Sequence, residues 1–197
     1  MKVLSHFFHH FLSKKLDHIP AGHFFSLRML IVKSVLPLNA TIIICSTVPS
    51  SYLMEIQSKL ESMSRNDIFL VDSPVSGGTV RAAKGTLTIL SSATPAALSQ
   101  SKRILHNLSE KYFVIPGSIG AASNIKMINQ LLAGVHIAAA SEAMGLAVRM
   151  GLNTRRVYEI IANAAGTSWM FENRVPHMLD NDWTPQSALD IFVKDMV

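Results

Sequence analysis

A serine and two consecutive glycines, Ser76, Gly77 and Gly78, follow a short apolar run that ends at Asp72. Open α/β sheets bind ligands beyond the carboxyl ends of their strands, so a ligand is expected beside this turn. The serine offers a hydroxyl, and glycine N–H groups can approach a ligand closely because no Cβ blocks them. Together they predict a receptor for a small carboxylate. The alternative is a tight turn that requires positive φ, which explains one glycine more easily than two.

Lys126 is the second residue whose placement suggests chemistry. It falls in the first turns of a predicted helix, where the positive end of the macrodipole disfavours a cation. Locally unfavourable choices of this kind often mark function. The dipole and partial burial would make the ammonium group more acidic, which suits a proton donor near neutral pH. Gln130 shares the same helical face. The alternative is a solvated lysine at a domain boundary. For Lys194, near the C-terminus, an exposed Lys–Asp pair is the simpler interpretation.

Strand and helix patterns alternate around the serine-glycine turn. The predicted strands are the runs ATIIICST, IFLVDSPV, TLTILSSA and KYFVIPG. Between them, VPSSYLMEIQSKLESM and PAALSQSKRILHNL have apolar residues at helical spacing. Ser50 or Ser51 is the expected N-cap of the first of these helices. This alternation is typical of an α/β layer.

A long helix is predicted next, because residues after Pro116 and Gly117 keep a helical period as far as Gly151, a natural C-terminal stop. Further helical patterns follow in NTRRVYEIIANAAG, SWMFENRVPHML and TPQSALDIFVKDMV. Asn153 and Thr184 are plausible N-caps within this region. The chain therefore reads as part of an α/β domain, one long connecting helix, and part of a helical domain.

Composition excludes several classes of protein. With 49% hydrophobic and 16% charged residues, the chain suits a packed globule rather than a disordered one. The net charge is +5, but the first fifty residues hold five Lys or Arg against one acid, so the excess is not spread over a groove-binding face. We therefore expect no nucleic-acid partner. The single cysteine, Cys45, excludes an internal disulfide framework and favours an intracellular location, cytoplasmic or mitochondrial.

The most apolar long window, residues 131–148, contains His136, Ser141 and Glu142. These polar residues favour a buried helix over a membrane span, so no membrane partner is expected. The histidines among the first ten residues have no acidic or thiol partner nearby, and we predict no metal site.

These motifs, in order, resemble the β-hydroxyacid dehydrogenase family, which includes 3-hydroxyisobutyrate, tartronate-semialdehyde and L-threonate dehydrogenases. DSPVSGGTVRAAKGTL is similar to the family's substrate-binding signature, and GSIGAASNIKMINQ to its catalytic signature. STVPSS and LDIFVKDM resemble the two segments that reach the cofactor, and GVHIAAASEAMGLAVRMGL is closest in character to the L-threonate branch. The resemblance runs from about residue 40 to residue 197.

The fold implied by the resemblance is a partial Rossmann-like α/β domain followed by a long connecting helix and an all-α C-terminal domain. It divides the chain into four parts: an atypical basic segment (1–39), the second half of a dinucleotide-binding domain (40–116), the interdomain helix (117–151) and a partial helical domain (152–197). Relatives of full length are expected to form homo-oligomers.

The resemblance also implies a role for each candidate residue in hydride transfer between NAD or NADP and a small hydroxy acid. Lys126 would be the general acid that protonates the substrate carbonyl, and the Ser76-Gly77-Gly78 turn would bind the carboxylate. Asn129 matches an asparagine that orients the substrate, and Gln130 stands where many relatives have a second asparagine, so the amide is kept on a longer side chain.

On the cofactor side, the resemblance implies that Thr47 lies beside the nicotinamide ribose and that Lys194 closes over the cofactor. The family's Gly-x-Gly-x-x-Gly loop, which holds the pyrophosphate, is absent, because no two of the ten glycines are spaced i, i+2. We therefore expect a relative truncated at both ends, with weak or absent cofactor binding and possible inactivity. The alternatives are a non-catalytic binding or dimerisation module, or an unrelated basic interaction protein.

Overall fold

A computed structural model of the chain describes residues 36–184. Lys194 and the first 35 residues lie outside this range. The α/β part contains β1 (Thr41–Ile44), α1 (Ser50–Ser62), β2 (Phe69–Asp72), β3 (Val75–Ser76), α2 (Gly78–Ala83), β4 (Leu87–Ser91), α3 (Pro95–Leu108) and β5 (Ser109–Val114). The helical part contains α4 (Ala121–Arg149), α5 (Thr154–Ala162) and α6 (Trp169–Leu179). This order confirms the predicted α/β layer, long helix and following helices.

The strands form two hydrogen-bonded sets, one of two strands and one of three, in the described residues. β1 and β2 are parallel, with Thr41 opposite Phe69. β4 runs parallel to β5 and antiparallel to the two-residue β3. A bridge between Asp72 and Ser92 joins the two sets, with backbone N···O distances of 3.1 and 2.9 Å. The end of β2 therefore lies between its partner β1 and the residue that follows β4.

Both faces of this sheet are covered. On one face, Leu53, Ile56 and Leu60 of α1 pack in a cluster that includes Leu70 of β2. The next residue of β2, Val71, belongs to the cluster on the other face, under α3. Alternate residues of a strand point to opposite faces, so β2 is buried on both sides, as central strands of parallel α/β sheets are.

The expected capping of α1 by Ser50 or Ser51 is wrong. Pro49 occupies the N-cap without a side-chain hydrogen bond, and Tyr52 N donates to Pro49 O. Helix α1 already begins at Ser50, so both serines lie within the helix instead of preceding it. Pro49 has φ −59°, which a proline ring favours, and the chain therefore turns into the helix one residue earlier than the serines suggest.

The ends of the later helices follow the predicted pattern. Helix α4 closes at Met150, and Gly151 then adopts φ +69°, the left-handed stop expected there. Asn153 caps α5 by accepting a hydrogen bond from Arg156 N at 3.1 Å, as predicted. Ser168 caps α6. The helix predicted to follow Thr184 lies outside the described residues, so its cap stays a prediction.

The expectation that α4 is a buried helix is wrong for one of its faces. Ile128 is 60% exposed, and Leu131, Leu132 and Val135 on the same stretch are also exposed within residues 36–184. Only 22% of the most apolar window of α4 is buried. By length and composition alone the helix could cross a membrane, a test that core helices of soluble proteins also pass. Its opposite face packs on α6, where Met144 belongs to a cluster with Phe171.

Candidate functional site

Asp72, the last residue of β2, is the centre of a buried hydrogen-bond network. The residue has no exposed surface. Its Oδ1 accepts a hydrogen bond from Ser123 Oγ at 2.7 Å. Its Oδ2 accepts from Ser123 N at 2.8 Å and from Ser92 Oγ at 3.1 Å. Three donors on one carboxylate offset much of the cost of removing it from water.

This network caps helix α4 from outside the helix. Gly120 occupies the N-cap position with φ +95° and has no side chain to accept from the first N–H groups. Ala122 N donates instead to Ser92 Oγ at 3.0 Å, and Ser123 N donates to Asp72. Helix N-termini have free N–H donors and favour negative charge, and Asp72 satisfies both requirements. The start of α4 is therefore bonded to the end of β2 and to the residue that follows β4.

Lys126 lies one helical turn beyond Ser123 on the same face of α4. It is only 7% exposed, whereas Asn124 and Ile125 between these two residues are exposed. The alternative interpretation of Lys126 as a solvated lysine is therefore wrong. The Asp72 carboxylate lies at the start of this helical face, where it accepts hydrogen bonds from Ser123.

The Ser76-Gly77-Gly78 turn leads from β3 into α2, a short helix that the sequence did not predict. Gly77 has φ +135°, and a Cβ there would lie 2.7 Å from Cδ of Arg81. Gly78 has φ +66°, and a Cβ there would meet nothing within 4 Å. Positive φ therefore accounts for both glycines, not only one as expected. The open space beside Gly78 leaves room for a ligand as well.

Thr47 lies in the loop between β1 and α1. The helix that follows this loop begins next to the start of α4, because a Cβ on Gly120 would lie 2.8 Å from Cβ of Ser50, the first residue of α1. A side chain at position 120 would thus push α4 away from α1. Glycine at this position allows the start of α1, three residues after Thr47, to lie against the start of α4.

Asn129 and Gln130 follow Lys126 by three and four residues, so they lie one helical turn after it on α4. Asn129 Nδ2 donates to Gln130 Oε1 at 3.3 Å. Within the described part of the chain, Asn129 is exposed and Gln130 is half-buried. Of the two amides, Gln130 therefore lies nearer the buried face that carries Lys126.

Cys45 follows the last residue of β1, and its thiol interacts electrostatically with the Asp72 carboxylate. The residue as a whole is exposed, but local desolvation of the sulfur raises the pKa of the thiol, and the Asp72 carboxylate raises that pKa further. A raised pKa keeps the thiol protonated at neutral pH, which does not suit a nucleophile. Across residues 36–184, His, Cys, Asp and Glu side chains form no group of three or more that could hold a metal ion.

Sequence reasoning identified the turn and Lys126 but assigned no role to the network that joins the start of α4 to the sheet. Ser92 and Ser123 were not singled out, since a serine after a strand and a serine in a helix are both common. The available signal was Asp72 at a strand end together with a helix that starts at a glycine. Neither shows that residues 51 positions apart in the sequence are hydrogen-bonded.

Family models match most of the chain. The model described as the NAD binding domain of 6-phosphogluconate dehydrogenase matches residues 28–117. The model described as NAD-binding of NADP-dependent 3-hydroxyisobutyrate dehydrogenase matches residues 120–197. Thr47 and the Ser76-Gly77-Gly78 turn fall in the first match, and Lys126 and Lys194 fall in the second.

Similar proteins of known name agree with these matches. The chain is 45% identical over 155 residues to L-threonate dehydrogenase of Cupriavidus necator, covering 79% of this chain and 51% of the relative. It is 44% identical over 158 residues to the L-threonate dehydrogenase of Escherichia coli K12, covering 80% and 51%. A crystal structure of 3-hydroxyisobutyrate dehydrogenase from Salmonella typhimurium superposes with a TM-score of 0.77 at 41% identity, covering 86% of this chain and 60% of that one. The chain thus spans about half the length of the curated relatives it matches.

Proposed function

Because the chain belongs to the β-hydroxyacid dehydrogenase family and is similar to its L-threonate dehydrogenases, we propose that it carries the substrate-binding and proton-transfer half of an NAD(P)-dependent hydroxy-acid dehydrogenase site. The observation that carries this proposal is the burial of Lys126 at 7% exposure, one turn after a helix start bonded to the end of a central strand. Open α/β sheets bind their ligands at the carboxyl ends of the strands, which is where β2 meets this helix.

Lys126 is proposed to move the proton. In the oxidation direction its neutral amine takes the hydroxyl proton while the substrate carbon loses a hydride and becomes a carbonyl. In the reduction direction its ammonium returns the proton to the carbonyl oxygen. Bound NAD(P) would supply the hydride acceptor or donor, and the protein would supply orientation and one proton.

The Ser76-Gly77-Gly78 turn is proposed to hold the substrate carboxylate. Ser76 can donate through its hydroxyl, and the backbone N–H groups of the glycines can donate without steric hindrance. The open space beside Gly78 supports this role. Asn129 and Gln130 are proposed to orient the substrate hydroxyls from the turn of α4 that follows Lys126.

The residues present fit only the nicotinamide end of the cofactor. Thr47 and Lys194 are the proposed contacts there, and the sequence has no glycine pair spaced i, i+2 that could form the phosphate loop. We therefore propose that the chain by itself binds NAD or NADP weakly or not at all.

A second candidate function is a non-catalytic binding or dimerisation module. The exposed apolar face of α4, with Ile128, Leu131, Leu132 and Val135, favours it within the described residues. Such a module needs no site for a hydroxy acid. Substrate binding and its dependence on the proposed site residues therefore separate the two functions.

Joining the chain to the remaining part of a relative tests the proposed enzyme. We expect a chimera in which residues 40–197 replace the matching segment of the Cupriavidus necator L-threonate dehydrogenase to oxidise L-threonate with NAD or NADP. The chain alone should show no saturable NADH or NADPH binding by fluorescence quenching. A chimera that folds and binds cofactor but gives no NAD(P)H with L-threonate would support the non-catalytic module instead.

A pair of glycine substitutions tests the carboxylate site in the full chain. Gly78→Ala is expected to weaken L-threonate binding about tenfold or more, because the added methyl would enter the space proposed for the carboxylate. The matched control is Gly151→Ala, since Gly151 also has φ near +69° and open space around a Cβ. Both variants should lose about 1 kcal/mol of stability through backbone strain. Titration calorimetry compares their affinities. Equal affinities in the two variants would remove the turn from the proposed site.

A further inference from the structure

We propose that Asp72, Ser92 and Ser123 are positioning residues that set the place of the Lys126 side chain. We call this group the Asp72 clamp. The inference rests on the proposed function, in which Lys126 moves the proton. It assigns to Asp72 the role of positioning Lys126. This role follows neither from the place of Asp72 at a strand end nor from the nearby serine-glycine turn.

The hydrogen-bond directions within the clamp follow from the donors. Ser92 Oγ accepts from Ala122 N at 3.0 Å, so its own hydrogen is available for Asp72 Oδ2 at 3.1 Å. Ser123 donates to Asp72 through both its N–H and its hydroxyl. Every partner of the carboxylate in this clamp is a donor. A carboxylate meets that requirement with both oxygens, whereas an amide would present N–H groups to one of the donors.

The clamp acts on Lys126 through the first turn of α4. Gly120 gives this helix no cap of its own, so the bonds to Ser92 and Asp72 determine where the helix starts and how it is rotated about its axis. Lys126 follows Ser123 by three residues, and side chains at this spacing share a face. The lysine stem is long and flexible, so a fixed helix start limits where its amine can lie.

A neighbouring pair of serines provides the control. Ser91 and Ser73 are also fully buried, and their hydroxyl oxygens lie 2.6 Å apart. This hydrogen bond stays within the α/β layer, whereas the bonds of Ser92 extend to α4. Ser91→Ala and Ser92→Ala thus each remove one buried hydroxyl from adjacent positions, and only the second breaks the clamp.

The experiment follows the Lys126 side chain by NMR in the full chain labelled with 13C,15N-lysine. The Lys126 signal is assigned by its loss in Lys126→Arg. Ser92→Ala is expected to shift the Lys126 Cε and Nζ resonances by more than a linewidth, and Ser91→Ala to leave them in place. Ser123→Ala, which places a strong helix former in α4, is a second clamp variant and should shift them too.

Either of two results overturns the proposal: Lys126 signals that stay in place in both clamp variants, or an equal shift in Ser91→Ala. Melting temperatures of the three variants show whether a resonance shift is specific to the clamp or accompanies a general loss of stability. The NMR result needs neither substrate nor cofactor. Failure of the chimera to oxidise L-threonate would therefore defeat the proposed function, while the lysine resonances would still decide whether the clamp positions Lys126.

Discussion

Lys126→Met in the chimeric enzyme is expected to lower the turnover number by about 10²- to 10⁴-fold, the usual contribution of a general acid or base. Methionine keeps most of the buried aliphatic volume but has no proton to exchange. Because Lys126 is only 7% exposed, alanine would add a cavity to the loss of the amine, and methionine separates the two effects. Initial rates of NAD(P)H formation from L-threonate measure the change.

Two further variants distinguish proton transfer from charge. Lys126→Arg keeps the positive charge, but a guanidinium remains protonated at any working pH, so its turnover should fall nearly as far as in Lys126→Met. Lys102→Met removes an exposed lysine of α3 and should leave turnover unchanged. Cofactor affinity should be similar in all of these variants. Near-normal turnover in Lys126→Met would show that another group moves the proton.

Asp72→Ala is expected to lower the free energy of unfolding of the full chain by at least about 3 kcal/mol, because it leaves buried donors without an acceptor at roughly 1–3 kcal/mol each. The donors are Ser92 Oγ, Ser123 N and Ser123 Oγ. Loss of the cap on α4 adds to this cost. Urea unfolding followed by circular dichroism measures the change.

The control for this prediction is Asp180→Ala. Asp180 makes an ion pair with Arg155 in which both side chains are more than half exposed, and such pairs contribute about 0–1 kcal/mol. The loss of unfolding free energy in Asp72→Asn should lie between the losses in Asp72→Ala and Asp180→Ala, since asparagine retains one carbonyl acceptor. If Asp72→Ala cost no more than Asp180→Ala, the Asp72 clamp would not stabilise the start of α4.

Local signals in the sequence were sufficient for most elements. An apolar β-branched run predicted β1, and alternation of residue types predicted β4. Helical spacing of Leu53, Ile56 and Leu60 predicted the buried face of α1, and Asn153 predicted the start of α5. Each of these features depends on residues within a few positions of one another. The predicted cap of α1 failed because Pro49, and not a serine, determines where that helix begins.

The candidate site was only half visible in the sequence. The Ser76-Gly77-Gly78 turn and Lys126 could be selected by residue type, because consecutive glycines and a lysine near a helix start are locally unusual. Burial of Lys126, and with it the rejection of a solvated lysine, required the packing of α4 against the sheet. The exposed apolar face of α4 was also invisible to periodicity, since a helix that is apolar all round does not indicate which side is covered.

By itself, the sequence determined the strands, the helices and the family resemblance, because periodicity, glycine conformation and motif order are properties of short stretches of chain. Tertiary structure alone decided that Asp72 bonds to Ser123 across 51 residues and that Ala122 bonds to Ser92 across 30. A hydrogen bond depends on separations of about 3 Å and on donor direction. Those quantities exist only after the sheet and α4 have packed, which is why no local pattern revealed what holds Lys126 in place.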